Sequence, residues 1–78
     1  MASINVKIFP EEKDAIVRVL QKHEEQTISV AAIANEADFN PNRTRFIVEE
    51  LLDEGRIRKI PTKMFNARYI RYKYEVVQ

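Results

Sequence analysis

The side chains with the most capacity for chemistry in this 78-residue chain are its arginines and lysines, and they are unevenly spread. Residues 1–39 carry four basic against seven acidic side chains, a balance of −3. Residues 40–78 carry nine against five, a balance of +4. From Gly55 onward, Arg56, Arg58, Lys59, Lys63, Arg68, Arg71 and Lys73 face a single acid, Glu75, giving +6 in a chain whose net charge is only +1. Positive charge gathered at one end of a nearly neutral chain points to a surface for a polyanion. The competing reading is a solvated surface on which Lys and Arg keep an edge strand soluble. Seven such residues in so short a segment exceed what that role needs, because like charges on adjacent strands repel unless something negative lies across them.

Covalent and metal chemistry are poorly served. The chain has no Cys, so it has no disulfide, thiolate metal site or thiol nucleophile. His23 is the single histidine, with no second His or matching acid cluster near it in sequence. It reads as an amphipathic residue at the edge of a core, not as a ligand or base. No Gly-rich phosphate loop and no Ser/His/acid set is present. The expectation is a protein that is not an enzyme, with no cofactor and no metal. No apolar run approaches the ~20 residues that span a bilayer, and the start of the chain lacks a signal peptide's pattern. Membrane association is not expected, and a cytoplasmic location is.

The elements that must position these cations centre on residues 29–55. Ser29 is a good N-cap, and Val30, Ile33, Ala34 and Ala37 follow at helical spacing. Asp38-Phe39-Asn40 interrupts the pattern. Asn40 is placed to cap a second helix, and Pro41 suits its first position because the N–H there has no helical partner anyway. Thr44, Ile47, Val48 and Leu51 form that helix's apolar stripe, and Gly55 ends it as a residue able to take positive φ.

Upstream, Phe9-Pro10-Glu11-Glu12 opens a helix with two acids at the positive end of its dipole, and Ile16, Val19, Leu20 and His23 mark one face. Glu24-Glu25-Gln26 closes it. Ser3 to Phe9 alternates like a short strand, and Thr27-Ile28 reads as a small extended segment. Downstream, Arg56 to Ile60 is a strand that Pro61 breaks or places at an edge. Residues 62–67 form a hairpin tip in which Asn66 is the best candidate for positive φ. Arg68 to Val76 is a strand with Ile70, Tyr72, Tyr74 and Val76 on one face and Tyr69, Arg71, Lys73 and Glu75 on the other. At 78 residues this is one domain with one core.

Helix, short turn, helix is a helix-turn-helix pattern. With Ile33-Ala34, the Leu51-x-x-x-Gly55-x-Ile57 ending and the basic strand pair after it, the chain resembles the winged helix-turn-helix superfamily over roughly Phe9 to Val76. The resemblance implies a small α+β winged helix: three helices plus a C-terminal β-hairpin wing, with a possible short N-terminal strand. It places the helix-turn-helix at about 29–55 and the wing at about 56–77. It also implies binding of double-stranded DNA, either sequence-specific or accessory, as in transcription regulation; the small size and the lack of an effector domain suggest a bacterium or mobile element as the source. The recognition helix would enter the major groove and the basic wing would lie on the backbone. Carried onto this sequence, the DNA-binding residues are Asn42, Arg43, Thr44, Arg45, Arg58, Lys63, Arg68, Arg71 and Lys73. Arg pairs with guanine edges or phosphate, and Asn with adenine. Thr44, being on the core-facing stripe, has only a partial role. The helix's acids, Glu49, Glu50, Asp53 and Glu54, all fall in its later half, away from phosphate.

Two departures keep other classes in view. Met64 and Phe65 lie near the tip, where winged helices often carry Gly and basic residues, and Phe46 lies off the apolar stripe. Together they describe a patch for a homodimer or protein partner, which the N-terminal segment would also serve. A protein-interaction module is therefore one alternative. RNA binding, with Tyr69 stacking on bases beside Arg71 and Lys73, is another.

Overall fold

The computed structural model describes residues 7–62 and 71–77. The order is α1 (Pro10–Lys22), α2 (Val30–Ala37), α3 (Pro41–Asp53), β1 (Ile57–Thr62) and β2 (Arg71–Val76). The two strands form an antiparallel sheet, so the fold is α+β: among the described residues, three helices followed by a hairpin, the layout of a small winged helix. No helix among the described residues is long and apolar enough to cross a membrane.

α1 starts at Pro10, with Phe9 as N-cap. Phe has no side-chain acceptor, so capping comes from the third helical residue: Glu12 Oε1 accepts the Phe9 N–H at 3.0 Å. α2 starts as Ser29 predicts, with Ser29 Oγ accepting the Ala32 N–H at 3.1 Å. α3 starts as Asn40 predicts, with Asn40 Oδ1 accepting the Asn42 N–H at 2.8 Å and Pro41 behind it.

α2 and α3 end in the same way. After α3, Gly55 (φ +74°) donates to Leu52 O and Arg56 to Leu51 O. After α2, Asp38 (φ +60°) donates to Asn35 O and Phe39 to Ala34 O. Both are Schellman closures, which bond the last carbonyls through a left-handed residue. Glycine supplies that conformation at position 55. Aspartate, one of the few other residues that tolerates it, supplies it at position 38. The three-residue turn from Asp38 to Asn40 then joins a closed helix to a capped one.

The core draws on every element: Ile16, Val19 and Leu20 of α1, Ile33 and Ala34 of α2, Ile47, Val48 and Leu51 of α3, Ile57 of β1 and Tyr74 of β2. The predicted stripes of all three helices face it. In the sheet, Ile57, Lys59 and Pro61 lie opposite Val76, Tyr74 and Tyr72. Arg58, Ile60 and Thr62 lie opposite Glu75, Lys73 and Arg71 on the other face. The first set faces the helices, and the predicted alternation of 72–76 holds. Pro61 is accommodated within β1, whose hairpin partner is β2.

Three sequence expectations differ or fall elsewhere. Thr27-Ile28 is not a strand; it touches the sheet through one hydrogen bond, from the Ile28 N–H to Tyr72 O at 3.0 Å. Residues 7–9 are not strand either, and the rest of the predicted N-terminal strand lies outside the described residues. Of the predicted tip, Thr62 belongs to β1 instead, and the remainder, with Lys63, Met64, Phe65 and Asn66, lies outside the described residues, as do Arg68, Tyr69 and Ile70 of the predicted second strand.

Candidate nucleic-acid interface

The opening turn of α3 separates its polar side chains into two groups. Asn42 and Arg45 are exposed, with Arg45 Nη2 and Asn42 Oδ1 3.4 Å apart. Both remain available to something outside the protein. Arg43 is turned the other way. Its Nε donates to Glu12 Oε2 at 2.7 Å and its Nη2 to Glu12 Oε1 at 2.6 Å. The same Nη2 also donates to the Lys7 carbonyl at 2.5 Å. The hydrogen bonds from Arg43, joined by that from the Phe9 N–H, hold the Glu12 carboxyl down at about 2, and the same carboxylate raises Arg43 above its ordinary value. Arg43 therefore acts as a clasp between α3 and the entry to α1. The Nε–Nη2 edge of the guanidinium, engaged in a two-point carboxylate pair, is turned to Glu12 and not to a base.

Thr44 is fully buried, at 0% exposure. The side chain therefore offers no surface for the partial role in DNA contact expected of it. Among the described residues its Oγ1 also has no hydrogen-bond partner. Phe46 stays on the surface at 43% exposure. Of the later acids, Glu54 is bonded to Lys13 at 2.7 Å, a second tie between α3 and α1, while Glu49, Glu50 and Asp53 are exposed.

The hairpin divides its cations by face. On the outer face Arg58 pairs with Glu75 directly across the sheet at 2.8 Å, and Lys73 and Arg71 continue along β2 opposite Ile60 and Thr62. On the inner face Lys59 lies over the Tyr72 ring, 4.1 Å from its centroid. Arg56 is exposed at the start of the hairpin, its carbonyl accepting the Val77 N–H at 2.8 Å. Arg58, Arg71 and Lys73 are thus brought onto one face. Lys63 and Arg68 lie outside the described residues.

Beyond α3 and the hairpin, His23 Nε2 meets the Glu36 carboxylate at 2.9 Å, with Lys22 3.7 Å from it. The hydrogen bond from His23 lowers the Glu36 pKa, against partial burial. His23 thus ties the end of α1 to α2, in keeping with its reading as a residue at the edge of the core. Among the described residues no group of three or more His, Cys, Asp or Glu is placed to hold a metal ion.

Sequence reasoning missed the Glu12–Arg43 pair and the Lys59–Tyr72 contact. The signal for the first was partial. Glu12 stands at the third position of a helix, where an acid reaches back to the cap, but its second partner is 31 residues away. Comparison with models of known protein families gives no match, and neither does comparison with curated protein sequences.

Proposed function

We propose that this protein binds double-stranded DNA as a winged helix. The opening of α3 would enter the major groove, and the outer face of the hairpin would lie along the backbone. The observation that carries the reading is the exposed Asn42–Arg45 pair at the amino end of α3, in a helix whose acids are confined to its later half. A helix offering amide and guanidinium groups at its positive end, with carboxylates kept behind them, suits entry by that end. Arg58, Arg71 and Lys73 on one hairpin face support the backbone contact. Arg43 and Thr44 have no part in it. Transcription regulation is the role this binding fits best, and membership of the winged helix-turn-helix superfamily belongs to the same proposal.

Fluorescence anisotropy with a labelled duplex, a single strand and an RNA of the same length tests it. Duplex binding that exceeds the other two and weakens steeply with salt is expected. No duplex binding at about 50 mM salt, where electrostatic binding is strong, ends the proposal. In that case the second reading takes over, a protein-interaction module. Its specific support is Phe46, left 43% exposed on a helix face that also carries Glu49 and Glu50.

A further inference from the structure

Between the start of α2 and the inner face of the hairpin lies a hollow of about 590 Å³. Ile28, Val30 and Ala32 line one side, and Lys59, Tyr72 and Tyr74 the other, with Arg71 at its margin. Its volume is within the range of small-molecule sites, and polar and apolar side chains share its walls. Three polar features meet there. Lys59 has no carboxylate partner among the described residues and is held in place over the Tyr72 ring. α2 opens onto the hollow at Ser29 and Val30. Ser29 Oγ satisfies Ala32, and the Val30 and Ala31 N–H groups, at the positive end of the helix, have no partner inside it.

The third feature is independent of the helix end. Tyr74 is 4% exposed, yet its hydroxyl makes no hydrogen bond among the described residues. Among the described residues the side-chain oxygen that is both sealed and unpartnered is that of Thr44, not that of Tyr74, so the phenol keeps access at the hollow it lines. Burial raises its pKa above the ordinary tyrosine value, which keeps it a proton donor. The phenol is thus a donor at the wall of the hollow that no acceptor among the described residues occupies.

We propose that this hollow binds a small organic anion. Its carboxylate or phosphate head would be held by Lys59, the Tyr74 hydroxyl and the opening of α2, and its apolar body would lie against Ile28 and Val30. A bare phosphate would leave most of the volume and the aliphatic wall unfilled, so an organic body fits better. The site adjoins the hydrogen bond from Ile28 to Tyr72, which joins the segment before α2 to β2. A ligand there ties the helical layer to the hairpin. The inference does not rest on duplex binding.

The test titrates the full chain with phenyl phosphate, benzoate and inorganic phosphate, followed by amide NMR shifts. Saturable shifts centred on Ile28 to Ala32, Lys59, Tyr72 and Tyr74 are expected with at least one organic probe. Lys59→Met and Tyr74→Phe should each weaken that probe roughly tenfold. Lys73→Met, on the opposite face of β2, should leave it unchanged, which separates the hollow from general attraction to a basic hairpin. Retained dispersion of the amide spectrum shows that each variant folds. No saturation by either organic probe up to about 10 mM overturns the proposal. So does inorganic phosphate binding as tightly as phenyl phosphate, which would make the hollow a seat for a bare phosphate such as a duplex backbone carries. Equal affinity of Tyr74→Phe and the parent protein also overturns it.

Discussion

Arg43 and Glu12, 31 residues apart, form a two-point ion pair, Nε to Oε2 at 2.7 Å and Nη2 to Oε1 at 2.6 Å. The same carboxylate accepts the Phe9 N–H that opens α1, and the same guanidinium reaches the Lys7 carbonyl. One pair of side chains thus caps a helix, docks it on α3 and fixes the chain entering it. Arg43→Ala is expected to lower the melting temperature, and so is Glu12→Ala. The double variant should lose less than the two single losses combined, because each single change strands the other's charge. Duplex affinity, measured below the melting transition, should be nearly unchanged in Arg43→Ala. A selective loss of sequence preference with normal stability would return Arg43 to the DNA-reading set.

The same pair sets a pH dependence. Folding takes Glu12 from an ordinary carboxylate value of 4.5 to about 2. Between those values the unfolded chain binds a proton that the native protein does not, so stability rises with pH across the window. The contribution is complete above about 4.5 and is lost as pH falls through about 2. Glu36, lowered by its hydrogen bond from His23, acts in the same direction. Urea midpoints measured across this range should fall less steeply on acidification in Glu12→Gln than in the parent. An identical acid limb in the two proteins would show that the pair does not hold in solution.

Much of the fold was legible in residues 29–55 because local chemistry decides it. Ser29 and Asn40 are caps that need only their own helix, Pro41 fits only a first turn, and Gly55 takes a conformation few residues can. The stripe of Thr44, Ile47, Val48 and Leu51 is equally local, since helical spacing alone puts these residues on one face. The roles of the polar side chains were less legible. Arg43 and Arg45 are two residues apart and chemically identical, and only the tertiary position of Glu12 separates a clasp from an exposed cation. Lys59 and Arg58 are adjacent in β1, and only the register against Tyr72 and Glu75 decides what each one meets. The positive φ of Asp38 was hidden for a different reason: aspartate is common at many turn positions and does not announce a left-handed one.

Thr44 and Leu51 share a buried face and should respond in opposite ways. Leu51 is fully buried, and Leu51→Ala leaves a cavity that typically costs about 2–5 kcal/mol. Thr44→Val replaces an unpartnered buried hydroxyl with a methyl group of similar size. Removing that desolvated oxygen should raise stability by about 1 kcal/mol, since an unsatisfied buried hydroxyl costs roughly 1–3 kcal/mol. Chemical denaturation of both variants checks the pair. A destabilised Thr44→Val would mean that the hydroxyl finds a partner, such as an ordered water, in solution.

Arg45 and Asn42 carry the proposed base reading. Once a preferred site has been selected from random duplexes, Arg45→Ala should lose preference for it by about 1–3 kcal/mol if the guanidinium pairs with a base edge. Asn42→Ala should relax a different position of the site. Equal weakening on preferred and random duplexes would assign either residue to phosphate, and no effect on any duplex would remove the α3 opening from the interface.

The outer face of the hairpin gives the sharpest electrostatic test, because one acid lies among its cations. Glu75 pairs with Arg58 at 2.8 Å on the face that carries Arg71 and Lys73. If that face lies along a duplex, Glu75 both opposes phosphate and occupies Arg58. Glu75→Gln should therefore strengthen binding to every duplex alike and steepen the salt dependence, each added phosphate contact contributing a slope near −0.9 in log affinity against log salt. Lys73→Ala should do the reverse and flatten the slope by roughly 1. Neither change should alter stability by more than about 1 kcal/mol, since pairs this exposed contribute little. The two variants moving duplex affinity in opposite directions, independently of sequence, would support backbone contact by this face. Glu75→Gln leaving affinity and slope unchanged would place the duplex elsewhere, and with Lys73→Ala equally silent the hairpin would have no part in binding DNA.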